Sequence, residues 1–426
     1  MTFSTLGLSP ALLAAVQNLG HSSPTPIQQA AIGPAVAGRD VLGSAQTGSG
    51  KTLAFALPLL QRLQPTTSRV RRAQALVLVP TRELATQVGE VLQALAQHLP
   101  QRVKVSIFFG GVSINPQMMG LRGGTDVVVA TPGRLLDLIA HNALKLDNVG
   151  LLVLDEADRM LDLGFADELA QLLALLPAQR QNLFFSATFS PAVQTLAHTL
   201  LVDAVRVEVD AAQQQPVEII QRAIAVDSGK RTQLLRHLIK QHHWPRALVF
   251  VATKFAAEIV ADKLRKGGFT AEPFHGELSQ GKRTQVLTDF KAERLQVVVA
   301  TDVAARGLDI AALPVVVNFD LPRSTQDYTH RIGRTGRAGE PGLAVSFVSA
   351  ATQAHWRLIE KRQQVQLALE TVPGYEAQEV PPPASTSPDA PAGTGSGGVK
   401  GLRPSKKDKL RAAALQAGPT APVGKA

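Results

Sequence analysis

The chain has 426 residues, of which 45% are hydrophobic and 18% are charged, a composition typical of globular proteins. It contains no cysteine, which excludes disulfide bonds and metal sites built from thiolates. Its longest apolar runs are much shorter than a membrane-spanning helix, and the net charge of +10 favours polyanions such as nucleic acids as partners. We expect a cytoplasmic protein without a membrane partner.

Short apolar runs alternate with helical patterns along the first half of the chain. Most runs end in small or polar residues and lead into a helix-like segment; they are DVLGSA, ALVLVP, VKVSIFFG, DVVVAT, LLVLDEA and NLFFSAT. Strands that are apolar on both faces and are joined by helices form parallel sheets. The pattern therefore predicts a parallel α/β domain over residues 1–209.

The same alternation restarts after a polar joint. The segment DAAQQQPVE (Asp210–Glu218) is polar and contains Pro216, so we place a linker at residues 210–217. Beyond it come the runs ALVFVAT, VVVATD, PVVVNFD and LAVSFV. They predict a second α/β domain over residues 218–372, with a polar and movable interface to the first.

Residues 373–426 differ in composition from both domains. The segment VPPPASTSPDAPAGTGSGG is rich in Pro, Ser, Gly and Ala, which predicts disorder because it cannot bury enough apolar surface. From Pro381 onward the chain carries seven cations and two anions, which is half of its net positive charge. We expect a disordered basic tail, which is either a solvated extension or a segment that anchors nucleic acid.

A glycine-rich loop follows the first predicted strand. The sequence AQTGSGKT lies between DVLGS and the helical pattern LAFALPLLQRL, a context in which backbone N–H groups enclose phosphate oxygens. Lys51 is expected to reach the β- and γ-phosphates, and the Thr52 hydroxyl to bind Mg²⁺. Alanine stands where the G-x-x-x-x-G-K-[ST] pattern has its first glycine. The predicted nucleotide-binding residues of this loop are Ala45, Gln46, Thr47, Gly48, Ser49, Gly50, Lys51 and Thr52.

Three carboxylates stand together at the end of another predicted strand, in LLVLDEAD. A buried strand that ends in an acid, in the same sheet as a phosphate loop, places Asp155 at the carboxyl edge where Mg²⁺ binds. Glu156 is then expected to orient or deprotonate the attacking water. Capping of a helix N-terminus is the alternative, and it accounts for one carboxylate but not for a pair at a strand end.

These motifs, together with others in a fixed order, resemble the DEAD-box family of RNA-dependent ATPases and helicases. The resemblance covers Phe3 to Phe347, and its further motifs are PTPIQ, PTREL, GG, TPGR, SAT, SQGKR, ATDVAARGLDI and HRIGRTGR. It implies two tandem RecA-like domains. Within the family, the start at Phe3, FSATFS and SQGKR after HGE are most similar to the bacterial RhlE group.

The resemblance also assigns nucleotide contacts outside the phosphate loop. It implies that Phe3 and Gln28 bind adenine and that Asp309 binds the ribose. A glutamine amide both donates and accepts hydrogen bonds, so Gln28 would select ATP over GTP. The second domain supplies a cationic cluster of Arg331, Arg334 and Arg337, and the resemblance assigns the last two to the γ-phosphate.

A coupling network and an RNA surface follow from the same resemblance. The residues that would connect hydrolysis to strand separation are Asp158, Ser186, Thr188 and His330. Those that would bind the RNA backbone are Arg82, Gly111, Thr131, Gly133, Arg134, Arg283 and Thr301. Because phosphate and ribose contacts carry little sequence information, we expect low sequence specificity.

The motifs predict an RNA-dependent ATPase with ATP and Mg²⁺ as cofactors. RNA that bridges both domains would close them around ATP–Mg²⁺ and bring the arginines to the γ-phosphate. The expected activity is non-processive, local unwinding of RNA duplexes and remodelling of RNA–protein complexes, by a monomer that binds single strands and short duplexes. The alternatives are an ATP-gated RNA clamp or assembly scaffold with incidental unwinding, and a DNA-translocating helicase. Protein partners would belong to RNA decay or ribosome assembly.

Overall fold

Two seven-stranded parallel sheets, one in each half of the chain, form the framework of the protein. The computed structural model describes residues 2–44, 49–65, 70–208, 219–305, 313–336 and 341–379. We call the parts built around the two sheets the first and second domains. The predicted fold of two tandem RecA-like α/β domains is confirmed. The predicted linker at 210–217 and residues 380–426 of the predicted tail lie outside the described residues.

All neighbouring strands of the first sheet are parallel. The strands are β1 (Val41–Ser44), β2 (Ala75–Leu78), β3 (Val105–Phe108), β4 (Val127–Ala130), β5 (Leu151–Leu154), β6 (Gln181–Ser186) and β7 (Val205–Glu208). Their order across the sheet is β3-β4-β2-β5-β6-β1-β7. The helices are a 3₁₀ helix (Phe3–Leu6), α1 (Pro10–Asn18), α2 (Pro26–Val36), α3 (Lys51–Arg62), α4 (Arg82–Ala96), α5 (Ile114–Gly120), α6 (Pro132–Ala140), α7 (Ala157–Asp162), α8 (Ala166–Leu175) and α9 (Pro191–Leu200).

The second sheet repeats the same order. Its strands are β8 (Ile219–Ala225), β9 (Ala247–Val251), β10 (Ala271–Phe274), β11 (Val297–Thr301), β12 (Val315–Asn318), β13 (Gly342–Val348) and β14 (Leu369–Glu370). They run in the order β10-β11-β9-β12-β13-β8-β14, again with parallel neighbours. The helices are α10 (Arg231–Gln241), α11 (Lys254–Arg265), α12 (Gln280–Lys291), α13 (Asp302–Ala305), α14 (Thr325–Ile332), a 3₁₀ helix (Ala350–Thr352) and α15 (Gln353–Gln363).

The side chains of strand β2 alternate between two hydrophobic cores. Ala75 and Val77 face a core that is covered by helices α1 to α4. Leu76 and Leu78 face a second core, covered by helices α6 to α9. Because helices cover both faces of the sheet, its strands are apolar throughout, which explains the continuous apolar runs in the sequence.

Residues after β14 continue along the second domain as an ordered segment, which we call the strap (residues 371–379). Asp227 Oδ1 accepts hydrogen bonds from the backbone N–H groups of Gln378 and Glu379, at 2.8 and 2.9 Å. The Tyr375 ring lies 5.2 Å from the His237 ring. The predicted start of the tail at residue 373 is therefore too early, because polar contacts as well as apolar burial fix the strap. Of the described helices, none is both long enough and apolar enough to cross a membrane.

Candidate nucleotide and RNA site

Lys51 and Asp155 face each other at the carboxyl edge of the first sheet. Lys51 is the first residue of α3, and Asp155 directly follows β5. Their side chains are only 5% and 4% exposed, and 3.9 Å separates Lys51 Nζ from Asp155 Oδ1. Neither atom has a hydrogen-bond partner among the described residues. Buried charges without hydrogen bonds are costly unless a ligand completes them, so this pair is suited to binding an ionic ligand.

The surroundings of Asp155 fit a divalent cation that arrives with a nucleotide. Burial raises the pKa of the Asp155 carboxyl to about 6, while Lys51 lowers it and Glu156 raises it. A cation at this carboxylate would favour its charged form. Thr52, next along α3, is partly buried and adds a hydroxyl. Mg²⁺ is usually held by one or two protein oxygens together with phosphates and waters, and Asp155 and Thr52 supply two such oxygens.

Glu156 adopts a left-handed backbone conformation, with φ of 54° and ψ of 50°. For a residue other than glycine this costs on the order of 1 kcal/mol. Arg159, one turn later in α7, donates a hydrogen bond from Nη1 to Glu156 Oε2 at 2.8 Å, and both side chains are buried. The carboxylate predicted to act on water is thus held by a buried guanidinium.

Asp158 connects the acidic strand end to the SAT segment. Its Oδ2 accepts hydrogen bonds from the Thr188 backbone N–H at 2.9 Å and the Thr188 hydroxyl at 2.8 Å. The Ser186 hydroxyl in turn donates to the Thr188 carbonyl at 2.8 Å. The structure therefore brings together the three first-domain residues that the resemblance assigns to coupling.

His330 of the second domain lies close to this acidic strand end. Burial and the Arg159 guanidinium lower the pKa of His330 to about 4, while Asp158 and Glu156 raise it and Arg334 lowers it. His330 is therefore neutral at physiological pH, with charged groups of both domains around it.

The three arginines of the second-domain cluster have different surroundings. Arg331 is 2% exposed and makes a two-pronged ion pair with Asp302, with distances of 2.6 and 2.7 Å. Its Nη1 also donates to Asn318 and to a backbone carbonyl, so this arginine fixes the second domain internally. Arg334 follows α14, is buried, and lies near His330. Arg337 lies outside the described residues.

The Gln28 amide is held between two backbone segments. Its Oε1 accepts from the Thr25 backbone N–H at 2.9 Å, and its Nε2 donates to the Gly50 carbonyl at 3.0 Å. One N–H and one lone pair of the amide are left for a base. Gly50 has φ of 94°, and a Cβ there would lie 2.5 Å from Gln28 Nε2, so a glycine is required. Phe3 belongs to the hydrophobic core of the first domain and is 6% exposed, so packing accounts for most of its ring.

The predicted RNA-binding arginines of the first domain support loop structure. A Cβ at Gly111 would lie 1.9 Å from Arg82 Nη2, so the glycine allows the loop to pack on this guanidinium. Arg134 is buried, and its Nη2 donates to the Val112 carbonyl at 2.7 Å. Arg134 Nε and Nη1 have no hydrogen-bond partner in the described part of the chain, so donors remain for a ligand.

Arg283, the predicted RNA contact of the second domain, pairs with a residue of the first. Its Nη2 lies 2.6 Å from Glu83 Oε1, and both side chains are buried. The guanidinium also lies over the Phe274 ring, 5.0 Å from its centroid. Burial lowers the pKa of Arg283, Glu83 raises it, and Arg82 lowers it. Arg82 and Arg283, two cations of the predicted RNA surface, therefore lie near the Glu83 carboxylate.

The remaining predicted residues lie at strand ends and helix starts. Thr131 is the N-cap residue of α6, Gly133 is in its first turn, and Thr301 ends β11. Ser49 directly precedes the helix-capping Gly50. The predicted residues that lie outside the described residues are Ala45, Gln46, Thr47, Gly48, Asp309 and Arg337.

Sequence reasoning missed Arg159 and Glu83. Arg159 carries a detectable signal, because a residue three positions after Glu156 on a helix lies on the same face. Glu83 carries none, because its partner Arg283 belongs to the other domain. The prediction of a cationic cluster that contains Arg331 also overlooked its partner Asp302, which follows β11 directly.

A buried lysine lies beside a strand-end acid in the first of two tandem RecA-like domains, an arrangement suited to binding an ionic ligand. Residues 25–196 match the DEAD/DEAH box helicase family model, and residues 229–339 match the helicase conserved C-terminal domain model. The chain belongs to the DEAD-box family of ATP-dependent RNA helicases.

Particular relatives agree with this assignment. The chain is 41% identical over 360 residues to the DEAD-box ATP-dependent RNA helicase CshA of Bacillus cereus, and the match covers 84% of this chain and 68% of that protein. Yeast Dbp5 bound to RNA and ADP BeF3 is 31% identical, with a TM-score of 0.77 and coverage of 87% and 95% of the two chains. A variant of Dbp5 bound to protein partners, IP6 and ADP is 30% identical, with a TM-score of 0.58 and coverage of 87% and 96%.

Proposed function

We propose that the protein is an RNA-dependent ATPase that unwinds short RNA duplexes locally and remodels RNA–protein complexes. The main support for this proposal is the buried pair of Lys51 and Asp155 in the first domain, whose facing atoms Lys51 Nζ and Asp155 Oδ1 have no hydrogen-bond partner among the described residues. His330 of the second domain lies near the acidic residues that follow Asp155, and Arg334 lies near His330. The two domains would thus contribute opposite sides of one site.

Each side chain has a proposed task in ATP hydrolysis. Lys51 would bind the β- and γ-phosphates, and Thr52 and Asp155 would hold Mg²⁺, which would supply charge neutralisation for the phosphates. Glu156 orients the attacking water and accepts its proton. Arg334, together with Arg337, stabilises the charge that develops on the transferred phosphoryl group.

Nucleotide selection would depend on the Gln28 amide. Its orientation is fixed by Thr25 and Gly50, so the remaining N–H and lone pair point in a defined direction. Phe3, and Asp309 on the ribose, would complete the nucleoside pocket. We therefore expect ATP to be preferred over GTP, as tested by comparing the two nucleotides in hydrolysis assays.

RNA-driven closure of the two domains would control this chemistry. The chain resembles Dbp5 bound to RNA and ADP BeF3 more than the Dbp5 variant bound to protein partners, at nearly equal identity. This difference in TM-score supports an arrangement of the chain like that of the RNA-bound neighbour. The Arg283–Glu83 ion pair adds a contact that would favour the closed arrangement. Because the arginines would reach the γ-phosphate only after closure, ligands that favour closure would stimulate hydrolysis.

The RNA surface would lie along the carboxyl ends of strands β2, β3, β4, β10 and β11. The residues proposed to contact its backbone are Arg82, Gly111, Thr131, Gly133, Arg134, Arg283 and Thr301. Contacts of this kind give low sequence specificity. Membership of the RhlE group, a cytoplasmic location, a monomeric state, partners in RNA decay or ribosome assembly, and RNA anchoring by the tail stay predictions.

The test is ATP hydrolysis by the full chain with single-stranded RNA, DNA of the same sequence, and duplex RNA. We expect RNA to raise the rate about tenfold or more and DNA to have little effect, since coupling of this kind is typically 5- to 150-fold. Absence of stimulation by RNA would falsify the proposal. The alternative of an ATP-gated clamp predicts RNA retention that depends on ATP without separation of a short duplex, so a strand-release assay on the same samples distinguishes the two.

A further inference from the structure

Three loops at the amino ends of β2, β3 and β4 are fastened to each other. The Arg71 backbone N–H donates to the Gly123 carbonyl at 3.0 Å, and Arg71 Nη1 donates to the Arg102 carbonyl at 2.8 Å and to buried Asp126. A Cβ at Gly124 would lie 1.9 Å from the Arg71 carbonyl oxygen, so the loops approach as closely as a glycine permits.

Lys104, on the loop before β3, forms hydrogen bonds to the loop before β4. Its Nζ donates to the Gly120 carbonyl at 2.8 Å and to the Arg122 carbonyl at 3.2 Å. Its backbone N–H donates to Asp126 Oδ2 at 2.8 Å. Arg71 and Lys104 thus hold the loops in place, and Asp126 is the carboxylate that both use.

The fastened loops present three further arginines, which we call the amino-edge arginines: Arg72, Arg102 and Arg122. All three are exposed, and within the described residues their side chains make no hydrogen bond or ion pair. With Arg71 and Lys104 they put five cations on three loops against one buried aspartate. These arginines are exposed and make no such contacts among the described residues, while Arg71 and Lys104 hold together the loops that carry them. Such an arrangement is suited to binding an external anion.

A groove of 760 Å³ opens between two of these loops and α4. Its charged lining residues are Arg71, Arg102 and Lys104, all cations, and Gln93, Gln97 and Gln101 add amide groups. No aromatic residue lines it. Arginine, lysine and glutamine donate to phosphate oxygens, whereas protein interfaces are centred on aromatic anchors, so the lining favours a nucleic-acid backbone over an acidic protein.

The position of the arginines connects them to the RNA surface proposed above. The strands β2, β3 and β4 carry proposed RNA contacts at their carboxyl ends and the amino-edge arginines at their amino ends. Each strand has four residues, which span about 13 Å. A stacked RNA strand advances about 3.4 Å per nucleotide, so roughly four nucleotides span the same distance.

We propose that the amino-edge arginines and the adjoining groove form a second RNA-binding surface, which holds the phosphate backbone of RNA that extends beyond the segment bound between the domains. This rests on the proposed function, since it assigns a further contact to the same substrate. Short RNA would occupy the site between the domains alone. Longer RNA would reach both surfaces and gain affinity from linkage, without a change in the ATPase mechanism.

The test replaces all three arginines with glutamine (R72Q/R102Q/R122Q) in the full chain. A control variant, K145Q/K263Q/K361Q, removes the same charge from exposed lysines elsewhere. Affinity is measured against salt for poly-uridine of about 6 and about 30 nucleotides, which span roughly 20 and 100 Å. For the long RNA we expect the arginine variant to lose about 2 in the log–log salt slope, from three contacts of about 0.7 each, and the control to lose little.

The short RNA separates this proposal from the proposed function. We expect its affinity and its stimulation of ATP hydrolysis to be equal in wild type and the arginine variant. An unchanged salt slope for long RNA overturns the second surface, as does an equal loss for short RNA or for the control. If binding of poly-glutamate is lost while long RNA is unaffected, the surface binds an acidic protein instead. Failure of RNA to stimulate hydrolysis by the wild type would contradict the proposed function. The salt slope measures RNA binding and not hydrolysis, so it tests the second surface separately.

Discussion

The two domains share one strand order but differ at a matching pair of charged residues. In the first domain, Lys51 begins the helix after the first strand and Asp155 follows the fifth strand; their charged atoms are 3.9 Å apart without hydrogen bonds among the described residues. In the second domain, Arg231 begins the corresponding helix and Asp320 follows the corresponding strand. Here Arg231 Nη1 donates directly to Asp320 Oδ1, and Asp320 Oδ2 accepts from a backbone N–H at 2.8 Å.

The two pairs differ in whether the protein itself satisfies their charges, which separates a binding site from a structural contact in the same fold. A direct ion pair satisfies both charges within the second domain, so nothing remains for a phosphate. A pair held apart and buried leaves each charge incompletely satisfied, and a ligand gains what the protein lacks. The shared fold places a cation and a carboxylate at the same edge of each sheet. The distance between the two side chains determines whether they pair with each other or are available to a ligand.

Lys51→Ala is the change with the largest expected effect on this comparison. We expect ATP hydrolysis to fall about 10³-fold, because the phosphates lose their buried cation. The free energy of unfolding should change less than the rate, since the loss of a buried cation beside Asp155 is offset by the removal of a buried ammonium that makes no hydrogen bond among the described residues. Arg231→Ala should do the opposite, with a loss of about 1–2 kcal/mol in stability and little change in the rate per folded molecule. Steady-state hydrolysis and urea unfolding of both variants check this; a matching loss of hydrolysis in the two would break the comparison.

Glu156→Gln tests the acid that follows Asp155. The amide still accepts the hydrogen bond from Arg159 but takes no proton from water, so we expect turnover to fall at least about 10²-fold while ATP and RNA binding persist. Asp320→Asn, at the second-domain counterpart of the neighbouring Asp155, is the control and should leave turnover per folded molecule intact. Single-turnover hydrolysis and RNA binding with ATP give the answer, and near wild-type hydrolysis by Glu156→Gln would remove this residue from the mechanism.

The Glu83–Arg283 ion pair is the next contrast, since it joins the domains that the first two predictions treat separately. We expect Glu83→Gln and Arg283→Gln each to lower RNA-stimulated hydrolysis about tenfold, and the double variant to lose no more than either single one. Such non-additivity corresponds to a coupling energy of about 1–2 kcal/mol, which is typical of residues in contact. RNA-free hydrolysis is the control. Additive losses would mean that Arg283 contacts RNA independently of Glu83.

The smallest expected effect is the pH dependence that His330 adds to stability. Its pKa in the folded protein is about 4, against an ordinary value of 6.5, so the unfolded chain binds the proton more tightly. The stabilisation is present above pH 6.5 and is lost as pH falls toward 4. Between pH 7 and pH 5 the loss is on the order of 1–2 kcal/mol, and His330→Gln should remove it. Thermal unfolding of both proteins across this range measures the difference; parallel curves would contradict the assignment.

Much of the fold could be predicted from the sequence, because buried parallel strands are apolar on both faces. The strands β7, β8, β10 and β14 escaped prediction. The edge strand β7 has the sequence VRVE, which alternates charged and apolar residues, and the edge strand β10 contains Pro273, which is tolerated at an edge. The order of the strands also escaped prediction, since it depends on how helices pack between them.

The residues of the candidate site also divide into those whose positions could be predicted and partners that could not. Lys51, Asp155 and Glu156 could be predicted because each stands at a fixed place relative to a strand or a glycine-rich loop. The partners Arg159 and Glu83 could not, because pairing depends on side-chain direction and on contacts between segments far apart in the chain. The partner of Arg331 could not be predicted either, since the motif shows a cationic cluster but not the ion pair with Asp302.

The strap after β14 decides where the chain can be shortened. Glu379 Oε1 accepts the Ser228 backbone N–H at 3.0 Å, and Asp227 accepts two N–H groups of the strap, so its last residues are bonded into the second domain. A truncation after Pro381 removes the basic tail and leaves these bonds intact. A truncation at residue 373 also removes these hydrogen bonds and exposes the buried Val372 side chain. The effect of losing the tail could then not be separated from a loss of stability. Limited proteolysis from the carboxyl end should accordingly stop near residue 379.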